Sequence, residues 1–74
     1  MSTVEVKVLK RVERLKSSRF GNPRFLMIFD DFSTAPTAPD ASLAYGLENR
    51  ENFDVPAEVT FNGRGHVEYF KPQS

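Results

Sequence analysis

The 74-residue sequence contains no cysteine, only one histidine, and no apolar stretch long enough to span a membrane. Without cysteine, neither a disulfide framework nor a thiolate metal site can stabilise the fold. The N-terminus lacks the apolar core of a signal peptide, and a membrane-spanning helix needs about 20 apolar residues. We therefore expect one domain over residues 1–74 that acts in the cytoplasm and does not contact a membrane.

Aromatic residues supply the apolar area that such a short chain needs. The sequence has seven phenylalanines and two tyrosines, and each buries roughly 150–250 Å² when it is packed. A chain of this length buries only about 60% of its unfolded surface, so these side chains decide its stability. Their number favours a globular domain over a disordered chain.

The clearest local pattern is VTFNGRGHVEY, residues 59–69. Apolar and polar residues alternate in both of its arms, which is typical of half-buried strands. Asn62, Gly63 and Gly65 between the arms tolerate positive φ. A two-residue loop would mix apolar and polar faces, because a shift of one residue flips every side chain. The pattern therefore predicts a β-hairpin with a three-residue loop, either 62–64 or 63–65, and a glycine in the left-handed region.

Residues 1–16 allow two interpretations. Valines alternate with polar residues up to Val8, whereas Leu9, Val12 and Leu15 recur at a helix-like spacing. The segment is either one long strand with a bulge near residues 9–11 or an N-terminal helix. The β-branched alternation favours the strand.

The middle of the chain predicts two more strands, a helix and a further strand. The apolar run 25–29 is bounded by turn residues and predicts a buried central strand, followed by a reversal at 30–31 and a short strand from 32. Pro36 and Pro39 argue against continued pairing. Thr37 as N-cap, Pro39 in the first turn and Asp40 predict one short helix that runs to Leu47. A fourth strand opens at residues 55–56.

The resulting order is β-β-β-α-β-β. It is the order of the OB-fold, a five-stranded Greek-key barrel. An SH3-like barrel and an open curved sheet packed on one helix are the alternatives. The predicted core consists of Val6, Val8, Leu26, Ile28, Leu43, Leu47, Val59, Phe61, Val67 and Tyr69.

Formal charge is balanced overall but divided along the chain. Residues 1–24 hold seven basic and two acidic side chains, whereas residues 25–74 hold three basic and eight acidic ones. The basic segment includes Phe20, and basic grooves with aromatic faces bind single-stranded nucleic acid. Against this, the sequence pI of about 6.6 is low for such a protein. The candidate nucleic-acid-binding residues are Lys10, Arg11, Arg14, Lys16, Arg19, Phe20 and Arg24.

A protein partner is the interpretation that we favour from the sequence. Phe20, Tyr45 and Phe53 lie in predicted loops or at a helix end, where they can supply an apolar hot spot. The strand edges of a small barrel also recruit partners by strand addition. The divided charge allows weak homo-oligomers to form head to tail.

Nothing in the sequence indicates an enzyme. His66 has no second histidine or cysteine with which to form a metal site or a catalytic pair, and we expect it to be a solvated strand residue. Asp30 and Asp31 fit a turn, and Gly63-Arg64-Gly65 lacks the spacing of a phosphate loop. We predict no catalytic residues, no cofactor and no metal.

Three segments, GNPRFLMIFDD, TAPDASLAYGLEN and VTFNGRGHVEY, carry a resemblance to a known group. The chain resembles small uncharacterised proteins of actinobacterial phages and prophages over about residues 20–71. The resemblance implies a phage origin and expression inside a bacterial host, and it implies no activity. Together with the residues above, it predicts a non-catalytic accessory module that binds a host protein, or alternatively single-stranded nucleic acid.

Overall fold

A computed structural model describes residues 2–17, 19–40 and 43–73. Five strands make up the fold: β1 (Thr3–Leu15), β2 (Arg24–Phe29), β3 (Thr34–Pro36), β4 (Pro56–Phe61) and β5 (Val67–Pro72). A 3-10 helix, Arg50–Asn52, lies between β3 and β4. The strands form one antiparallel sheet in the order β3-β2-β1-β4-β5. The prediction of a mainly β domain is confirmed.

The long first strand is confirmed, and so is its bulge. The pairing of β1 with β2 shifts between Leu9 and Arg11, so that Lys10 is the extra residue. The N-terminal half of β1 pairs with β4 and the C-terminal half with β2. A bulge bends the strand and increases its twist. The sheet therefore curves at β1, which pairs with β4 before the bulge and with β2 around and after it.

Over the described residues, the outer strands β3 and β5 are not paired along their length. They approach each other only just beyond β3, where Thr37 forms an isolated parallel bridge with Val67. The Ala38 N–H donates to the Val67 carbonyl at 2.9 Å, and the Thr37 N–H donates to the Phe25 carbonyl at 2.9 Å. The Thr37 hydroxyl accepts the Phe25 N–H at 3.1 Å. The fully buried Thr37 therefore links β2 to β5.

The predicted helix beginning at Thr37 is wrong. Thr37 forms the bridge to β5. Its hydroxyl accepts the Phe25 N–H of β2 and does not cap a helix. Ala41 and Ser42 lie outside the described residues, and residues 43–48 form turns. Gly46 has φ +79, a left-handed conformation that ends helical geometry. The 3-10 helix at Arg50–Asn52 is the one helical turn of the described chain.

The core lies on one face of the sheet and is only partly the predicted one. Leu47, Val59 and Val67 are buried as expected, but the prediction was wrong for Val6 and Tyr69, which are 61% and 70% exposed. Val8, Leu26, Ile28, Leu43 and Phe61 are half-buried. The largest fully buried side chains include instead Leu9, Phe25, Met27 and Phe29.

The error arises from the choice of face. Leu9 lies opposite Phe29 and Val12 opposite Met27, so these side chains share the inner face, while Ile28 lies opposite Arg11 on the outer face. In β5, the pairing shifts between Phe61–Val67 and Thr60–Tyr69, which makes Glu68 the bulged residue. This second bulge turns Tyr69 outward and sets Phe70 opposite the buried Val59.

The loop of the hairpin between β4 and β5 matches its prediction, whereas the strand after it does not keep Tyr69 on the face of Val67. The Asn62 N–H donates to the His66 carbonyl at 2.8 Å, which closes a three-residue loop over residues 63–65. Gly65 occupies the left-handed region with φ +78. Pro36 departs from expectation, since it pairs with Leu26 at the end of β3. Proline is tolerated there because β3 is an outer strand.

Candidate nucleic-acid interface

A groove of about 670 Å³ lies where the β1–β2 loop meets the β4–β5 hairpin. Segments that are far apart in sequence form it. We call it the cationic groove, and it is lined by Lys16, Ser17, Arg19, Phe20, Arg24, Pro39, Asp40, Asn62, Arg64 and His66. Four of these side chains are cationic and one is a carboxylate. The groove therefore has a local excess of positive charge in a chain whose formal net charge is zero.

Two walls of the groove are held by hydrogen bonds to the backbone. Arg24 Nε and Nη2 both donate to the Thr37 carbonyl, at 3.1 and 3.0 Å. Because Thr37 is fixed between β2 and β5, this pair of bonds sets the position of the guanidinium. At the β4–β5 hairpin, the Asn62 side-chain oxygen accepts the N–H groups of Arg64 and His66, at 2.9 and 3.0 Å. The hairpin tip therefore presents Arg64 from an ordered loop.

Phe20 and Arg19 form the aromatic part of the groove. The Phe20 side chain is 57% exposed, and the Arg19 guanidinium carbon lies 5.1 Å from the centre of its ring. This distance is within the range of a cation–π interaction. An exposed ring beside a guanidinium is an arrangement on which a nucleic-acid base can stack.

His66 is half-buried and not the solvated residue that we expected. Its Nδ1 atom is buried and, within the described part of the chain, has no hydrogen-bond partner. Buried polar atoms of this kind are uncommon in native proteins and call for a physical explanation. The described residues contain no cluster of three or more groups that could hold a metal ion.

The structure brings four of the seven candidate nucleic-acid-binding residues together. Lys16, Arg19, Phe20 and Arg24 line the cationic groove. Lys10, Arg11 and Arg14 lie elsewhere. Arg11 pairs with Glu13 at 3.1 Å.

Lys10 and Arg14 are also engaged outside the groove. The Lys10 ammonium lies 2.7 Å from Asp54, and the hydrogen bond with that carboxylate raises the pKa of Lys10. The Arg14 guanidinium carbon lies 5.8 Å from the centre of the Phe25 ring. Both side chains therefore interact with residues that lie outside the groove.

Arg64, His66 and Asn62 are groove residues that were not among the candidates. A signal for them was present, because the β4–β5 loop of an OB-fold belongs to its binding surface. Taken by itself, the GRG segment has only the sequence signature of a turn. The hairpin prediction and the fold hypothesis together would have added Arg64.

The three candidate protein-binding residues do not form one patch. Phe20 lines the cationic groove, whereas Tyr45 lines a separate depression of about 240 Å³ that also includes Leu47 and Phe70. Phe53 is half-buried and packs against the hydrophobic core. Of the three, Phe20 and Tyr45 are exposed.

Comparison with known proteins adds no relative. No protein-family model, no curated protein and no solved structure matches this chain. Among the described residues, no helix is both long enough and apolar enough to cross a membrane. The fold and the groove together define the class: a small β protein whose loops form a cationic groove with an exposed aromatic ring.

Proposed function

We propose that this protein is a non-catalytic module that binds single-stranded nucleic acid in the cationic groove. The observation that supports this function is the convergence of Lys16, Arg19, Arg24 and Arg64 beside the exposed ring of Phe20. Single strands are bound by basic grooves that follow the phosphates and by aromatic faces that stack on bases. Both elements occur here within one groove.

The sheet order supports a finer assignment of the fold. In the order β3-β2-β1-β4-β5, an approach of β3 to β5 produces the OB-type Greek key, and the Thr37–Val67 bridge lies at this approach. OB-folds bind oligonucleotides through the β1–β2 and β4–β5 loops. In this protein, the same two loops line the cationic groove. We therefore propose an OB-like barrel as the architecture behind the function.

The groove residues divide into two roles under this proposal. Lys16, Arg19 and Arg64 contact phosphates, and Phe20 stacks on an unpaired base. Arg24 is oriented by the Thr37 carbonyl, so its remaining donor groups face a further phosphate without additional ordering.

Single strands are favoured over duplexes for a geometric reason. A duplex is read by inserting a helix or a two-stranded ribbon into its major groove, whereas the cationic side chains here line a concave surface. Bases of a single strand are free to turn toward Phe20, and those of a duplex are already stacked. The binding should therefore be stronger for single strands.

Fluorescence anisotropy with labelled oligonucleotides tests this function. We expect binding to a single strand of about 10 nucleotides at low salt, within the usual site size of about 4–16 nucleotides, and weaker binding to a duplex. The double variant Arg19→Glu/Arg64→Glu should lose binding because it replaces two attractive charges with repulsive ones. Arg50→Glu/Lys71→Glu is the matched control, since it changes the net charge by the same four units and neither residue lines the groove. Unchanged affinity in the double variant would contradict the proposal.

A protein partner is the second candidate, and Tyr45 is the observation that favours it. Its side chain is 62% exposed, and exposed tyrosines are enriched among the residues that contribute most to protein binding. A partner bound there would be lost in Tyr45→Ala and kept in Arg19→Glu/Arg64→Glu. The host protein, the phage origin and the cytoplasmic location stay predictions.

A further inference from the structure

The turn between β2 and β3 contains the most exposed large apolar side chain of the described chain. Phe32 is 92% exposed and has φ +70. A bulky residue with positive φ is uncommon, because its Cβ crowds the following carbonyl. Asp30 and Asp31, both exposed, precede it. We call Asp30, Asp31 and Phe32 the acidic aromatic tip.

Hydrogen bonds hold the tip in this conformation. The Asp31 carboxylate accepts bonds from the Ser33 N–H at 3.0 Å and from the Lys7 ammonium at 2.9 Å. The Phe32 N–H donates to the Phe29 carbonyl at 3.0 Å. The exposed ring is therefore presented by an ordered turn, which reduces the entropy lost on binding.

The tip lies at an acidic end of the molecule. Glu5, Asp31 and Ser33 surround the Lys7 ammonium, and Asp30 and Asp54 both act on Lys10. Four carboxylates thus face two ammonium groups, an excess of two negative charges. The cationic groove holds four cationic side chains and one carboxylate, an excess of three positive charges.

The acidic aromatic tip cannot reach the cationic groove of its own chain. Arg24 lines the groove at the start of β2 and Phe29 precedes the tip at its end. The five residue steps from Arg24 to Phe29 cover about 17 Å at about 3.3 Å per step. A contact between tip and groove must therefore join two molecules.

We propose that a second copy of this chain inserts its acidic aromatic tip into the cationic groove. The acidic aromatic tip and the cationic groove are complementary in charge and in shape. Asp30 and Asp31 meet Arg19, Arg64 and Lys16, while the Phe32 ring enters a groove that already contains the Phe20 ring and the Arg19 guanidinium. Different surfaces of the two copies meet, so the contact is heterologous and propagates head to tail. This inference does not require the groove to bind nucleic acid.

Sedimentation velocity at increasing protein concentration and low salt tests the association. The wild type should sediment faster as concentration rises and should lose this dependence at high salt, because exposed charges are screened. Phe32→Gly should remain a monomer. Glycine adopts positive φ without penalty, so the fold of this variant is retained. Tyr69→Ala removes another exposed ring, on the outer face of β5, and should behave as the wild type.

Complementation of two half-defective variants provides the decisive test. Phe32→Gly keeps an intact groove, and Arg19→Glu/Arg64→Glu keeps an intact tip. Each alone should be monomeric, and an equimolar mixture should form a dimer that grows no further. NMR spectra of labelled Phe32→Gly should then shift at groove residues and not at residues 30–33. A monomeric wild type, association that persists in Phe32→Gly, or a mixture that stays monomeric would each overturn the proposal.

Discussion

Asp31 shows how a single side chain organises the turn that carries Phe32. Its pKa is held well below the usual value, first by the Ser33 hydroxyl and then by the Lys7 ammonium and the Ser33 N–H. All three groups donate to the carboxylate and favour its ionised form. Lys7 itself is largely covered, with 12% of its side chain exposed, and its ammonium lies 5.2 Å from the centre of the Phe29 ring.

The depressed pKa of Asp31 makes its contribution to stability dependent on pH. The unfolded-state pKa is about 3.9 and the folded-state pKa is lower. The stabilisation is therefore complete above about pH 4 and is lost as the pH falls through the folded-state pKa. We predict that Asp31→Asn lowers the free energy of unfolding at pH 7 and that this difference from the wild type shrinks below about pH 4. Urea unfolding at pH 7, 5 and 3 measures it. A difference that stays constant would contradict the role of the charge.

At the scale of single residues, the sequence shows which loop residues carry charge but does not show which of them the fold brings together. Lys16, Arg19 and Phe20 were candidates from their place in the basic segment, and all three line the cationic groove. Arg64 and His66 were missed because their place in the groove depends on how the hairpin meets the β1–β2 loop. Phe32 was assigned to a strand, since a positive φ at phenylalanine has no sequence signature.

Among the elements, β2 best shows why a face is harder to predict than a strand. All of its residues from Phe25 to Phe29 are apolar, so no alternation of polarity distinguishes its two sides. The structure buries Phe25, Met27 and Phe29, and it leaves Leu26 and Ile28 half-buried. The two phenylalanines give the buried side the larger apolar area.

The choice of face in β2 leads to a paired prediction. Met27→Ala should lower the free energy of unfolding by roughly 2–5 kcal/mol, because it leaves a cavity in the core. Ile28→Ala should cost about 1 kcal/mol, because Ile28 is only partly removed from water. Urea unfolding of both variants measures the difference. A greater loss for Ile28→Ala would show that the opposite face is buried.

Turn chemistry made the other elements predictable to different degrees. The hairpin loop and the β1 bulge follow from local residues, and both were located correctly. The bulge at Glu68 was missed because Val67 and Tyr69 alternate as in a regular strand. The helix signals at Thr37 and Pro39 were overridden by tertiary contacts, since Thr37 bonds to Phe25 and its neighbour Ala38 to Val67.

For the whole molecule, folding rearranges the charge that the sequence divides along the chain. Lys7 and Lys10, from the basic segment, pair with Asp31 and Asp54 of the acidic segment. Lys16, Arg19 and Arg24 instead meet Arg64 in the groove. A neutral chain thus acquires one cationic surface, which a net charge or a pI cannot reveal.

The most direct test of nucleic-acid binding is the salt dependence of the affinity for a short single strand. Each phosphate neutralised contributes about −0.7 to the slope of log K against log salt concentration. Four groove cations predict a slope of about −3, and Arg64→Ala should reduce it to about −2. A slope near zero, or one that Arg64→Ala leaves unchanged, would contradict binding of nucleic acid in the cationic groove.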